Sequence, residues 1–250
     1  MIEVKDLSIR FGPKEVLKGL NFVLKEDLIT VIIGRSGIGK SVLLKCILGL
    51  AIPQSGEIWI DGKEFLGATK SQKKEMVSHI GMLLQHGALF DSMNIFDNIA
   101  FALRYHRKHK EKEIQSLVKK YASVVGIDDA LKMYPKDLSG GMKRKAALAR
   151  AIVLEPKYLF YDEPTTGLDP TSAAIVDVTI RKLKEELGVT TLVVTHDLGM
   201  VDFLAQRVAL LQEGKILYDM SKEEAFLANS PINELFLTKR ERIHHENGFN

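Results

Sequence analysis

Eight consecutive residues, from Gly34 to Ser41, constrain this chain more strongly than any other stretch; their order is Gly-Arg-Ser-Gly-Ile-Gly-Lys-Ser. An apolar run from Leu28 to Ile33 precedes them and predicts a buried strand, and the apolar stretch from Val42 to Leu50 predicts a helix. A glycine-rich loop between a strand and a helix turns successive backbone N–H groups toward one anion, and the helix N-terminus adds its own free N–H groups. The segment is therefore predicted to bind the phosphates of a nucleotide.

Two side chains of this loop have separate predicted tasks. Lys40 brings a cation to the β- and γ-phosphates, and the hydroxyl of Ser41 ligates Mg²⁺. The residues of the loop that are predicted to contact the nucleotide are Gly34, Arg35, Ser36, Gly37, Ile38, Gly39, Lys40 and Ser41.

Composition sets limits on partners and compartment. The chain has 250 residues, 46% apolar and 27% charged, enough for one large domain or for a core with an inserted lobe. Its formal net charge of +3 is too small to argue for nucleic acid as a partner. Cys46 is the single cysteine, so an internal disulfide is excluded and a reducing compartment is favoured.

No stretch predicts a targeting signal or a membrane span. The first ten residues include Glu3 and Asp6, which a secretory signal would lack. The longest apolar runs are about six residues, against roughly twenty for a spanning helix. We therefore expect a soluble protein that reaches a membrane only through a partner.

Strands and helices alternate along most of the chain, which predicts a parallel sheet covered by helices on both faces. In such a sheet the ligand binds at the carboxyl ends of the strands. Three predicted strands end on polar side chains: Gln85 follows one, Asp162 and Glu163 follow another, and His196 follows the third. These side chains and the phosphate loop are thus predicted to meet at one edge of the sheet.

Two segments depart from this alternation. The N-terminal part holds strand patterns at Ile2 to Ile9 and at Leu20 to Leu24 with no helix between them. The segment from about Phe90 to Leu154 has helical patterns and no strand, so it is predicted to be an inserted helical lobe. Within that lobe, Ser139 is placed to cap a helix over residues 143–154 and to leave N–H groups free at its start.

Taken in order, these motifs resemble those of the ATP-binding cassette (ABC) ATPases over about residues 1–220. Residues 34–41 are similar to the Walker A loop, 138–142 (Leu-Ser-Gly-Gly-Met) to the family signature, and 158–162 to Walker B. Gln85 resembles the Q-loop glutamine and His196 resembles the switch histidine.

The resemblance implies an α/β fold. Its parts are a P-loop NTPase (RecA-like) core with a mainly parallel sheet, an N-terminal antiparallel β subdomain and an inserted α-helical subdomain over about residues 90–154. A C-terminal helical extension is expected over residues 221–250.

By the same resemblance the protein is a Mg²⁺-dependent ATPase with ATP and Mg²⁺ as cofactors. Asp162 is expected to hold Mg²⁺ with Ser41, and Glu163 to polarise the attacking water. Gln85 is expected to reach the metal or the water, and His196 the γ-phosphate. Phe11 falls where the family stacks a ring on adenine; the alternative is a core side chain beside a turn.

The signature implies a second copy of the chain. Ser139, Gly140 and Gly141 resemble the residues that bind the γ-phosphate held by another subunit, so ATP is expected to join two copies head to tail. Asp169, in a D-loop-like Thr-Gly-Leu-Asp, is assigned to nucleotide binding with them. The chain departs from most of the family at Met142, which replaces a glutamine and cannot make its amide hydrogen bond.

Residues 85–99 and the signature ending in Met142 resemble the ATPase subunit of MCE-associated (Mla-type) phospholipid transport systems. That resemblance implies membrane permease subunits and an MCE-domain protein as partners. It also implies a cytoplasmic protein held on the inner face of the cytoplasmic membrane by the permease. An apolar surface with Ala88, Leu89, Phe90 and Phe96 would receive a short permease helix; ordinary packing of the helical lobe is the alternative.

Other functions share these motifs. One is an ABC ATPase of a cell-envelope remodelling complex without transport, and another is the ATPase of a transporter for a different solute. A DNA-repair or translation factor of this family is disfavoured, because such proteins need a long coiled-coil insertion or two cassettes in one chain. The basic run over residues 104–112 is predicted to be solvated, with acidic headgroups or a partner's acidic loop as the alternative.

Overall fold

The computed structural model describes residues 1–85, 87–106, 109–227 and 229–233. In chain order its strands are β1 (Ile2–Phe11), β2 (Lys14–Leu24), β3 (Ile29–Ile33), β4 (Ser55–Ile60), β5 (Lys63–Glu64), β6 (Ile80–Leu83), β7 (Tyr158–Asp162), β8 (Thr190–Thr195), β9 (Arg207–Gln212) and β10 (Lys215–Ser221). Its α-helices are α1 (Lys40–Ile47), α2 (Lys70–Ser78), α3 (Ile95–His106), α4 (Glu111–Val125), α5 (Gly140–Ile152), α6 (Pro170–Leu187), α7 (Leu198–Leu204) and α8 (Lys222–Ala225).

The N-terminal strands form an antiparallel sheet in the order β2-β1-β4-β5. Along β1 the residues Ile2 and Val4 are buried while alternate positions are more exposed, because one face of the sheet packs on a core and the other meets solvent. Asp61 and Gly62 join β4 to β5 with positive φ angles of 50° and 75°, as a two-residue hairpin turn requires. The two predicted N-terminal strands correspond to β1 and β2.

The larger sheet has the order β10-β9-β3-β8-β7-β6. Its neighbours from β9 to β6 pair in parallel, and β10 alone pairs antiparallel with β9. All residues of β3, β7 and β8 are buried, because the sheet is covered on both faces. The predicted α/β class with a mainly parallel sheet is confirmed.

Two hydrophobic cores lie on opposite faces of the large sheet, and side chains of one strand alternate between them. On β7, Leu159 and Tyr161 pack in the first core, which is formed with α3 to α7. Tyr158 and Phe160 pack in the second core, which is formed with α1 and the small sheet. Cys46 is fully buried in the second core, where burial raises the pKa of its thiol to about 11.

Between β6 and β7 the described residues contain helices and no strand. Helices α3, α4 and α5 pack against one another and contribute to the first core. Ser139 caps α5 by accepting a hydrogen bond from the Met142 N–H, as predicted. Asp169 caps α6 in the same way, and Pro170 occupies the first position of that helix.

The described part of the C-terminal segment begins with a short helix. A helical extension is predicted over residues 221–250, and α8 spans Lys222–Ala225. Residues 234–250 lie outside the described range, so the helical extension and the domain boundaries stay predictions. Arg107 and Lys108 of the basic run, and His86 of the predicted loop, also lie outside it. Among the described residues no helix is both long enough and apolar enough to cross a bilayer.

Candidate active site

Four neighbouring parallel strands bring the predicted site residues to one edge of the large sheet. Strand β3 leads into the phosphate loop, β8 ends before His196, β7 ends at Asp162, and β6 ends two residues before Gln85. Their carboxyl ends point the same way because every pair among them is parallel. The predicted convergence is a consequence of this strand order.

The phosphate loop depends on a glycine at its last turn. Gly39 has a φ of 123°, and a Cβ at this position would lie 3.0 Å from side-chain carbons of Val16 and Leu17 on β2. The next residue, Lys40, begins α1, and its ammonium group donates to the carbonyl oxygens of Gly34 (2.8 Å) and Arg35 (3.1 Å). The loop is thereby wrapped around a cation that exposes only 4% of its surface.

Glu163 connects three parts of the site. Its Oε1 lies 3.2 Å from Nζ of Lys40, and its Oε2 lies 2.8 Å from Nδ1 of His196. A carboxylate only accepts hydrogen bonds, so Nδ1 of His196 carries the proton in this arrangement.

Glu163 has a φ of 48°, a left-handed conformation that costs a non-glycine residue free energy. A hydrogen bond from its N–H to the carbonyl of Val194 on β8 holds it there.

The environment keeps Glu163 charged. Burial by itself would raise its pKa, but the hydrogen bond with His196 and the charge of Lys40 outweigh burial, so the pKa lies below its ordinary value. A carboxylate that is ionised at neutral pH and aimed at the phosphate loop has the properties of a general base or of a group that orients water.

Asp162 and Ser41 form a second pair, in which the Ser41 hydroxyl donates to Oδ1 of Asp162 at 2.7 Å. Burial raises the pKa of Asp162; the Ser41 hydrogen bond opposes that shift and the charge of Glu163 adds to it. A buried carboxylate that costs free energy to ionise is suited to a cation.

The donor set fits Mg²⁺. Asp162 and Ser41 offer hard oxygen atoms, and the described part of the chain holds no group of three or more His, Cys, Asp or Glu side chains that could form a complete metal cage. Mg²⁺ favours one or two protein ligands, with phosphate oxygens and waters completing its octahedron. Gln85 lies two residues beyond the end of β6, the strand that pairs with β7, and Asp162 is the last residue of β7.

The signature residues lie on a different element. Ser139, Gly140 and Gly141 form the N-terminus of α5, which packs on α3, α4, α6 and β6. A Cβ on Gly140 would lie 3.1 Å from Leu168 Cδ2, and one on Gly141 would lie 3.3 Å from Ser172 Oγ. The signature therefore packs directly on the Asp169 segment and the start of α6.

Phe11 and Asp169 are both exposed. Phe11 ends β1 at the hairpin to β2 and exposes 54% of its surface, which excludes the alternative of a core side chain. The carboxylate of Asp169 accepts from the N–H of Ser172 at 3.0 Å, and its hydrogen bonds with Ser172 lower its pKa. Both residues remain accessible to a nucleotide or to a second chain.

The expected apolar surface of the helical segment has a different membership from the prediction. Leu89 and Phe96 pack against the first core, so they are poor candidates for a docking surface. Ala88 and Phe90 of the predicted set are exposed, and the exposed rings of Phe101 and Tyr105 follow Phe90 with ring centroids 4.8 Å and 6.5 Å apart. The sequence pattern missed Phe101 and Tyr105, because α3 is apolar on more than one face.

Two hydroxyl groups near Glu163 were also missed. Thr166 Oγ1 donates to Oε2 of Glu163 at 3.2 Å, and Thr195 Oγ1 donates to the same atom at 3.4 Å. The one available signal was their position: Thr195 ends β8 directly before His196, and Thr166 lies three residues after Glu163. A threonine at a strand end is too common to single out from sequence alone.

Comparison with known proteins identifies the family. Residues 17–166 match the family profile described as ABC transporter. The chain belongs to the ABC transporter family. The chain is 39% identical to the intermembrane phospholipid transport system ATP-binding protein MlaF of Haemophilus influenzae, over 90% of this chain and 85% of that protein. It is 36% identical to the probable ribonucleotide transport ATP-binding protein mkl of Mycobacterium leprae, over 96% of this chain and 69% of that protein.

Solved structures of ABC cassettes have the same fold. A dimeric ATP-binding cassette, MJ0796, bound to ADP and Pi after hydrolysis, superposes with a TM-score of 0.79 at 26% identity. The superposition covers 88% of this chain and 98% of that one. This ABC chain is accordingly an ATPase subunit that powers a transporter, and its fold is that of the family's nucleotide-binding cassette.

Proposed function

We propose that this ABC ATPase powers a transporter that moves phospholipid across or between envelope membranes, with ATP and Mg²⁺ as its cofactors. The contact of Glu163 with both Lys40 and His196 carries the ATPase part of the proposal, because it aligns a charged carboxylate with the phosphate loop. The similarity to MlaF carries the lipid part.

The site explains how ATP would be bound and attacked. The backbone N–H groups of the loop and Lys40 would hold the β- and γ-phosphates, and Phe11 would stack on the base. In this structure Lys40 is paired with Glu163, so a γ-phosphate would compete for its ammonium group. Once Lys40 turns to the phosphate, Glu163 would be released to orient water. His196 could then form a hydrogen bond with Glu163 or with the γ-phosphate.

Mg²⁺ would supply Lewis-acid stabilisation of the phosphate oxygens, with Ser41 and Asp162 as its protein ligands and Gln85 near it or its water. The Ser41–Asp162 hydrogen bond places the two oxygens 2.7 Å apart, so both would be available to hold the ion. In the proposed pair, Ser139, Gly140, Gly141 and Asp169 meet the phosphates held by the second copy. Met142 leaves only backbone donors at the end of the signature.

An aromatic groove is the proposed docking site of the permease. Phe101, Tyr105 and Tyr134 line it together with Asp97 and Arg104, and its volume is about 630 Å³. Tyr105 exposes 62% of its surface, and Arg104 is fixed by ion pairs to Asp97 and Glu111. A short amphipathic helix with an apolar face and a polar rim matches this lining.

These partners give the proposed location: the chain would lie in the cytoplasm, on the inner face of the cytoplasmic membrane, held there by permease subunits that work with an MCE-domain protein. The one alternative with a specific observation behind it is a transporter of another solute, because the relative mkl is named for ribonucleotide transport.

The experiment is an affinity purification of tagged chain from detergent-solubilised membranes, with mass spectrometry of proteins and lipids. Recovery of a multispanning permease, an MCE-domain protein and bound phospholipid is expected. Phe101→Asp should abolish that recovery, whereas Ile52→Asp, a matched change at an exposed apolar residue outside the groove lining, should preserve it. Recovery of a permease that carries no phospholipid, in a complex whose ATPase activity responds to ribonucleotides, would contradict the lipid assignment.

A further inference from the structure

Arg144 is a buried cation on α5, the helix that begins at the signature. It lies in the second turn of α5 and exposes 5% of its surface. No ion pair joins it to a carboxylate among the described residues, and burial lowers the pKa of its guanidinium. Burying an unpaired charge costs free energy, so a buried arginine of this kind is expected to have a specific role.

The first contact of Arg144 is with the segment that carries Gln85. Its Nη1 donates to the carbonyl oxygen of Leu84 at 3.0 Å. Leu84 is the residue between the end of β6 and Gln85. The guanidinium therefore holds the backbone directly before the side chain that is proposed to reach the metal or the water.

The second contact is with the segment that carries Glu163. Nη2 of Arg144 donates to the carbonyl oxygen of Thr166 at 3.2 Å. The N–H of Thr166 in turn donates to the carbonyl oxygen of Glu163, and its hydroxyl donates to Oε2 of the same residue. A single amino acid thus separates the Arg144 guanidinium from the proposed general base.

The helix that bears Arg144 starts at the signature. Gly140 and Gly141 pack on Leu168 and Ser172, just beyond the Thr166 segment. A displacement of α5 would therefore move the signature, the Leu84 carbonyl and the Thr166 carbonyl together. The planar guanidinium offers donors in a rigid fork that can bridge two carbonyl groups, which a lysine ammonium on a flexible chain does not reproduce.

We infer that Arg144 is a positioning residue for hydrolysis: its fork ties the signature helix to Gln85 and, through Thr166, to Glu163. The inference rests on the proposed roles of those two residues. Arg144 itself does not touch the nucleotide, and it acts by setting the distance and direction of groups that do. When phosphates held by a second copy bind the signature, this link transmits the movement of α5 to Gln85 and Glu163. These are the two groups proposed to act at the reacting phosphate.

Arg150 on the same helix supplies a matched comparison. Its Nη1 and Nη2 donate to the carbonyl oxygens of Ala88 and Gly87, both at 2.7 Å, and burial lowers its pKa as well. It is therefore also a two-carbonyl fork, but it holds only the segment after β6. Arg144→Lys and Arg150→Lys remove the same chemistry from α5, and only the former breaks a link to Thr166.

The test measures ATP affinity and turnover for Arg144→Lys, Arg150→Lys and Thr166→Val, and for the two double variants that contain Thr166→Val. Arg144→Lys is expected to change ATP affinity less than about threefold, since Lys40 and the loop are untouched, and to lower kcat by about tenfold to a hundredfold. The double variant Arg144→Lys with Thr166→Val should lose less kcat than the product of the two single losses. The losses of kcat from Arg150→Lys and Thr166→Val should multiply in their double variant, because the two residues act on separate segments.

Hydrogen exchange separates positioning from unfolding. In Arg144→Lys, peptides that contain Gln85 or Thr166 should exchange faster, while peptides of the phosphate loop should not. Unchanged kcat, or multiplicative losses with Thr166→Val, would overturn the inference even if Glu163→Gln proves inactive. If Glu163→Gln still hydrolyses ATP normally, the proposed site itself is wrong, and that result is separate from the outcome for Arg144.

Discussion

The ammonium group of Lys40 lies 3.2 Å from Oε1 of Glu163, although the two residues follow strands β3 and β7, which β8 separates in the sheet. Both side chains are almost fully buried. Opposite charges attract strongly where water is scarce, and removing either partner would leave the other buried and unpaired. The pair therefore makes the positions of the phosphate loop and the candidate base dependent on each other.

Glu163→Gln should bind ATP at least as tightly as the natural chain and hydrolyse it about 10²–10⁴-fold more slowly. The amide keeps the shape of the side chain but cannot take a proton, and it no longer competes with phosphate for Lys40. Phosphate release and equilibrium nucleotide binding would be measured side by side. Glu186→Gln, an exposed acid on α6, serves as the control and should behave like the natural chain. Normal turnover by Glu163→Gln would remove Glu163 from the base role.

Lys40→Ala should weaken ATP binding by about tenfold to a hundredfold, because a hydrogen bond to a charged group contributes about 1.5–3 kcal/mol. The change also leaves the loop carbonyls of Gly34 and Arg35 without their donor. Titration calorimetry with ATP and with ADP would show whether the loss is larger for the triphosphate, as contact with the γ-phosphate requires. Lys112→Ala, on the exposed face of α4, should not alter either affinity. Equal affinities for Lys40→Ala and the natural chain would refute the phosphate contact.

Asp177 on α6 provides a pH-dependent prediction. Its Oδ1 is buried with no hydrogen-bond partner in the part of the chain that the structure describes. Burial, with the charge of Asp197 adding to it, raises its pKa from 3.8 to about 6. The folded chain therefore bears the cost of a buried charge above pH 6, and that cost disappears as the pH falls from about 6 to 4.

Asp177→Asn should accordingly raise the free energy of unfolding by about 1–2 kcal/mol at pH 8 and by little at pH 4. Urea unfolding at a series of pH values would measure the difference between the two chains. Asp129→Asn, an exposed acid, should show no such pH-dependent difference. A stability difference that grows as the pH falls would have the wrong sign and would rule out the burial explanation.

Asn98 is a buried amide that holds the start of the helical segment. Its Oδ1 accepts from the N–H of Phe90 at 2.7 Å, and its Nδ2 donates to the carbonyl oxygens of Phe90, Met93 and Asn94. Asn98→Ala leaves these groups buried without partners and should lower the free energy of unfolding by about 2–3 kcal/mol.

The same variant should also reduce capture of the permease, because Phe90 loses the bonds that hold it beside the aromatic groove. Denaturant unfolding and membrane pull-down test the two effects separately. Asn21→Ala, at an exposed amide that bonds Asp6, should cost less than about 1 kcal/mol and leave capture intact. A stable Asn98→Ala would show that water replaces the amide at this position.

Features that depend on near neighbours in the chain were the most predictable. The apolar run before Gly34 forms β3 and Ser139 caps α5, each within a residue or two of the expected place. The rule that ligands bind at the carboxyl ends of parallel strands also brought Asp162, Glu163 and His196 together correctly in space. These patterns do not predict, however, which side chains contact one another.

Misses came from residues whose meaning depends on burial. Arg144 stands between two lysines in a basic run, a pattern that is usually solvated, and only the packing of α5 against β6 and α6 buries it. Leu89 and Phe96 have the composition expected of an exposed apolar surface, yet they pack on the first core, while Phe101 and Tyr105 are exposed.

The sequence by itself determined that the chain has a phosphate-binding loop, a parallel sheet and an ABC signature, because short-range spacing and strand-end position suffice for them. Only the tertiary structure decided that Lys40 pairs with Glu163, that Ser41 bonds Asp162, and that Arg144 spans Leu84 and Thr166. These contacts join residues between 22 and 123 positions apart, and their partners are selected by strand order and helix packing rather than by neighbouring residues.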